Sequence, residues 1–228
     1  YRGIQHSAQP LIALCRYALE QPNAPECKAI KEHVTLHWER YVFPLLQTNP
    51  FAIVPYGCWF DPSTQGDRYR RMKNGLYFRF FMPDHSEQKI NHGLSGHWTS
   101  WAHGFSLASL LLDDSRLRDA AWAQLYWLWG GNPKNSCLVS GVGYNHPMPH
   151  SRFHGTMVGG FCVGPRGNEK DEIVIDLDRR AEWNSTEYWN CPVANALMAF
   201  SVLLPREISE KNKLGSPVAL KDARQGDN

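Results

Sequence analysis

Apolar residues recur at helical spacing through residues 3–21 and again through residues 24–47, and Pro22-Asn23-Ala24-Pro25 lies between the two stretches. Two periodic segments with such a break predict a helical hairpin, with Pro25 in a first helical turn where its missing N–H costs nothing. From residue 49 to residue 87 the pattern changes to Pro, Gly and aromatic residues, with short alternating stretches such as Leu76-Tyr77-Phe78-Arg79-Phe80-Phe81. That reads as a long loop carrying a small β-ribbon. Helical spacing returns over residues 93–112, and Asp114-Ser115 caps a further helix that stops at Gly130-Gly131-Asn132-Pro133. Residues 135–189 hold Gly, Pro, Asn and Asp too often for long helices and contain one strand-like run, Ile173-Val174-Ile175. Residues 192–204 read as an apolar helix. Residues 205–228 are polar and charged without periodicity, which predicts a disordered tail separate from the domain of residues 1–204.

Helices paired by short turns on one side and by long loops on the other predict a mainly α fold built of helical hairpins. Loops carry the chemistry on such a scaffold. No internal repeat is strong enough to separate a barrel from an ordinary helical bundle.

A chain of 228 residues can bury a sizeable core as one domain. Its 24 basic and 22 acidic side chains leave a net charge of +2 with no long run of either sign, so no feature points to nucleic acid or an anionic membrane as partner. No apolar run approaches the roughly 20 residues that would span a bilayer. Aromatic residues make up 12% of the chain, with nine Trp, the residue best suited to stack on the C–H face of a sugar. Most are nevertheless expected in the core. Six Cys are spread without a Cys-x-x-Cys pair, which gives no support to a zinc or thioredoxin-like site. Disulfides and buried thiols are both compatible with that count. The chain opens on Tyr1 without Met or a signal-like segment, which reads as an N-terminal part that was processed, lost or not included.

The most specific motifs lie between Leu125 and Leu197. Trp127-Leu128-Trp129-Gly130-Gly131-Asn132-Pro133 ends a helix, a polar loop runs from Gly141 through Asn145 to Arg152, and Gly164-Pro165, Asp178-Arg179, Glu187 and Asn195-Ala196 follow in order. In these motifs and their order the chain resembles the C-terminal half of a family 9 glycoside hydrolase, over residues 49–204. That family carries a helix ending Trp-x-x-Gly-x-Asn-Pro, a loop closing on Pro-His-His-Arg, a Gly-Pro turn, an Asp-x-Arg segment and an acid Glu before a helix with Asn-Ala. Three departures stand out: Ser151 replaces the second His, the spacing from Glu187 to Asn195-Ala196 is longer than the family's, and no Asp-x-Gly-Asp, the family's water-activating motif, occurs in the chain.

The resemblance implies part of an (α/α)6 barrel that hydrolyses a β-linked polysaccharide or oligosaccharide by inversion, without a cofactor, in a secreted or periplasmic setting. Inversion needs one carboxylic acid to protonate the leaving oxygen and a carboxylate about 6.5–9.5 Å away to activate water. Glu187 matches the acid, among Trp183, Tyr188 and Trp189, whose apolar surface favours a protonated carboxyl. From the residues alone, Glu187 reads more readily as a carboxylate stabilised by a helix N-terminus, and the resemblance reverses that preference. His150 and Arg152 match the substrate-binding His and Arg, able to donate hydrogen bonds to sugar hydroxyls; Tyr144 and Trp189 join them as substrate-binding candidates. A loop-stabilising His and an ion-paired Arg are the plain alternatives. Asp176 and Asp178, beside Arg179 and Arg180, are expected to shape the site through ion pairs. The resemblance also implies that the missing base comes from an N-terminal part of the same domain, so the 228 residues alone are expected to be inactive; otherwise the base falls to Asp61, Asp67 or Asp84.

Metal is the weaker reading of the histidines. His146, His150 and His154 recur every four residues, but Pro147 and Pro149 break the helix that would align them. His33 and His37 share a helix face without a third ligand nearby. Two other functions stay open: an α/α polysaccharide lyase using Tyr144, His150 or Arg152 to remove a proton α to a uronate, and a noncatalytic carbohydrate-binding descendant of a hydrolase, which the absent Asp motif and Ser151 favour.

Overall fold

The computed structural model describes residues 7–59, 69–82, 92–148, 157–175 and 183–214, with the side chains of 183–184 and 206–214 left aside. The first hairpin joins α1 (Gln9–Glu20) to α2 (Cys27–His37). Pro10 starts α1, and Leu11, Ile12, Cys15 and Ala18 put its buried face on one side. The second helix does not run regularly to residue 47. A π-helical turn, Trp38–Val42, intervenes before α3 (Phe43–Leu46). Pro44 supplies the reason: it has no N–H for the carbonyl of Arg40 and its ring crowds that turn, so the Phe43 N–H reaches back to Trp38 and the helix widens.

The central element is α4 (Ser95–Leu112), which packs on α1, α2, α5 (Ser115–Leu128) and α7 (Asn190–Leu214). It is buried on nearly every side and is rich in Gly, Ala and Ser, which let neighbouring helices approach; a Cβ on Gly104 would lie 3.0 Å from Leu11 Cδ2. Asp113 turns the chain with φ 51° and the Asp114 carboxylate accepts from the Arg116 N–H, opening α5 as the sequence predicts. At its other end Gly130 adopts φ 113° and the Gly131 N–H returns to Tyr126 O at 2.9 Å. Asn132 is buried there and bonds with both ends of its amide: Nδ2 donates to Trp127 O and Ser136 O, and Oδ1 accepts from the amides of Lys134 and Ser136. The Gly-Gly-Asn-Pro motif is thus a built helix stop.

Trp98 and Trp127 meet at 4.3 Å in the core, and Phe81 packs on both. Residues 52–54 are tied to α4 and α5 by polar side chains: Trp98 Nε1 donates to Val54 O, while Gln124 accepts from the Val54 N–H and donates to Ala52 O. His97 sits between Ser7 Oγ and Val54 O, and burial pushes its imidazole down to about 4. The ribbon expected near residues 76–81 is a small antiparallel sheet of order β1-β3-β2, with β1 (Gly57–Trp59), β2 (Arg70–Arg71) and β3 (Tyr77–Arg79), Cys58 opposite Phe78. The strand-like run at 173–175 is β5 (Ile173–Val174), paired with β4 (Arg166–Gly167).

The helices after residue 182 also differ from expectation. A short helix, α6 (Trp183–Thr186), interrupts what reads as loop. The last helix begins two residues before Pro192 and continues through Pro205 to Leu214, into the segment whose composition predicts disorder. Pro205 removes one hydrogen bond, but Arg, Glu, Lys and Leu after it are good helix formers, so helix propensity outweighs the missing apolar stripe. Residues 215–228 lie outside the described residues. None of the six cysteines is joined in a disulfide, and four of them, Cys15, Cys27, Cys137 and Cys162, are buried.

Asp171 ties β3 to the β4–β5 hairpin. Its carboxylate accepts the amides of Phe80 and Phe81, and pairs with Arg70 and with buried Arg79. Burial pushes its carboxyl up; the two amides, then the two guanidiniums, oppose that shift. Asp171→Ala leaves Arg79 buried beside unanswered amides and is expected to cost about 3–5 kcal/mol in urea unfolding. Glu20→Ala, which breaks the exposed Arg16 pair, should cost below about 1 kcal/mol. Equal losses would contradict this account of the hairpin's anchorage.

Candidate active site

The segment of residues 159–165 organises the long loops. On one edge Ser140 N donates to Gly160 O at 2.9 Å, Gly159 N to Ser140 O at 3.0 Å, and Val139 bridges Phe161. On the other, Val163 N donates to Glu187 O at 2.9 Å and Gly164 N to Ser185 O at 2.8 Å, and Cys162 bridges Tyr188. The same segment receives the start of α4, through Ser95 N to Val163 O and Leu94 N to Pro165 O. Contact this close requires glycine: a Cβ on Gly93 would lie 2.0 Å from Gly164 O, and Gly164, at φ +108°, would bring a Cβ to 2.2 Å from Ser95 Oγ. Tyr188 lies against Gly160 and its hydroxyl accepts the Met157 N–H.

Glu187 emerges from this ladder between α6 and α7, half-buried. Its Oε2 accepts the Trp189 indole N–H at 2.8 Å. An indole donates only, so the contact orients the carboxyl. The other side of Trp189 brings in a residue that the sequence did not single out: the His92 ring stands 4.5 Å from the Trp189 ring, tilted by 56°. Burial lowers the His92 imidazole, and the charge of Glu187 works against that lowering. His92 is 95 residues before Glu187 and belongs to no local motif, so only the approach of Gly93 to Gly164 reveals it.

Of the expected site residues, the structure joins Glu187 and Trp189 directly. Tyr144 is 78% exposed on a loop turned by left-handed Gly141, Gly143 and Asn145, and no hydrogen bond or ring contact ties its side chain to the pair. His150, Ser151, Arg152, His154, Asp176, Asp178, Arg179 and Arg180 lie outside the described residues, as do Asp61, Asp67 and Asp84. Among the described residues no group of three His, Cys, Asp or Glu side chains is placed to hold a metal ion. His37 stacks on Trp101 at 6.0 Å and His33 bonds to the Ala29 carbonyl. Among the described residues, no helix is long and apolar enough to cross a membrane.

No protein-family model matches the chain, and no curated protein matches it. Among solved structures, it superposes over 96% of its length on 33% of the endoglucanase CelQ from Clostridium thermocellum complexed with cellobiose and cellotriose, with a TM-score of 0.50 and 15% identity. The chain is mainly α and has the fold of part of an α/α barrel. It spans about a third of CelQ. A second likeness, to the catalytic domain of Clostridium thermocellum CelT, has a TM-score of 0.41 and 22% identity over 50% of this chain and 25% of that one.

The Glu187 charge favours the imidazolium form of His92, so removing it must lower the pH at which His92 titrates. NMR titration of the imidazole in Glu187→Gln should therefore show a downward shift from the unsubstituted chain. An unchanged or raised titration would separate the two groups.

Proposed function

We propose that the chain supplies the acid and the substrate-binding loops of a hydrolase that cleaves β-linked polysaccharides or oligosaccharides with inversion, as a family 9-like member of the glycoside hydrolases. The observation that carries this reading is the Glu187 carboxyl held by Trp189 at the junction of three loops. Its support is the order of motifs from Trp127 to Ala196 together with the fold shared with a third of an endoglucanase. Glu187 protonates the leaving oxygen. His150 and Arg152 donate hydrogen bonds to sugar hydroxyls, Tyr144 and Trp189 offer ring faces, and Asp176 and Asp178 shape the pocket by pairing with nearby arginines. The water-activating carboxylate belongs to sequence beyond these residues, and the proposed setting is secreted or periplasmic, both on the strength of the resemblance.

A noncatalytic sugar-binding role is the second reading, favoured by the absent Asp-x-Gly-Asp and by Ser151. Kinetics of the full-length gene product separate the two. Glu187→Gln keeps the shape of the side chain and removes its proton, so turnover of natural β-glycans should fall by about 10²–10⁴ while activated aryl glycosides, whose leaving groups need no proton, are spared. Arg152→Ala should weaken binding of both substrates alike. Sugar binding without turnover in the unsubstituted protein would favour the second reading, and equal loss on both substrates in Glu187→Gln would remove Glu187 as the acid.

A further inference from the structure

We propose that His92 is a positioning residue for Glu187, acting through the Trp189 indole; the inference rests on Glu187 being the acid. A glutamate carboxyl turns easily about its last torsion, whose energy profile is broad. One directional hydrogen bond, from Trp189 Nε1 to Oε2 at 2.8 Å, holds that torsion. The bond is only as fixed as the indole that makes it. The Trp189 backbone is held through its amide to Phe161 O at 3.4 Å, but the ring swings about two side-chain torsions of its own. His92 is the ring packed against it, with centroids 4.5 Å apart.

The His92 backbone is itself immobilised. Gly93 lies against the Gly164 carbonyl, and Leu94 and Ser95 donate to Pro165 O and Val163 O. Val163 also donates to Glu187 O, so the carboxyl and the imidazole that braces its partner are referred to one short segment. Burial lowers the basicity of His92, and the charge of Glu187 opposes that shift. A misplacement of about 1 Å at a reacting group can cost roughly 10²-fold, the scale on which such a brace acts.

Kinetics of the full-length gene product on a natural β-glycan and an activated aryl glycoside test this. His92→Ala should lower kcat on the natural substrate by about 10–100-fold with KM little changed and spare the aryl glycoside; His92→Phe, which restores a flat ring, should recover most of the loss. In a Trp189→Phe background, where no indole N–H remains to be aimed, His92→Ala should add little. Additive losses, no recovery with His92→Phe, or equal slowing of both substrates in a variant with unchanged circular dichroism would overturn the proposal. Glu187→Gln measured in parallel separates the cases. If it lacks leaving-group selectivity, the acid assignment fails and the positioning role falls with it; if it shows that selectivity and His92→Ala does not, only the positioning role fails.

Discussion

Backbone pairing along residues 159–165 is the constraint on which the site depends. This stretch is almost wholly buried, and its peptide groups find partners in the segment after α5, in the residues around Glu187 and in the first turn of α4. A typical hydrogen bond contributes only about 1 kcal/mol net, but each buried peptide group left unpaired would cost about 1–3 kcal/mol. Three loops of distant sequence origin are therefore held in register, and the small residues Gly93, Gly160 and Gly164 make the close approach possible.

The helices serve that register. Buried on nearly every side, α4 carries its first turn onto the loop segment at one end and docks α1, α5 and α7 along its length. Polar side chains complete the attachment where irregular backbone enters the core: Gln124 for residues 52–54, Asn132 for the stop of α5, Asp171 for the β4–β5 hairpin. Each satisfies several backbone groups at once, so irregular backbone enters the core without leaving those groups unpaired.

Much of this was legible in the sequence. Periodicity located α1 and α4, the Asp114-Ser115 cap marked the start of α5, and its stop at Gly130 to Pro133 was readable because its glycines and amide have one local use. The π-turn was not foreseen, because Pro44 was absorbed into an apolar helical pattern. The extension of α7 past Pro205 was hidden for the opposite reason, since charged residues with good helix propensity carry no apolar stripe. At the site, Glu187 and Trp189 lie two residues apart and were found together. His92 was not, because its relation to them exists only after the chain has closed through Gly93 and Gly164. Asp171 was missed likewise: its partners Arg70 and Arg79 lie far before it in the chain, Arg70 by 101 residues.

On the proposed function, this ladder of loops presents Glu187 to a glycosidic oxygen. A crystal structure of the full-length Glu187→Gln protein with a β-linked oligosaccharide tests it most directly. A glycosidic oxygen is expected within about 2.6–3.2 Å of the substituted side chain. A sugar bound away from that position, with its glycosidic oxygens out of reach of residue 187, would contradict it.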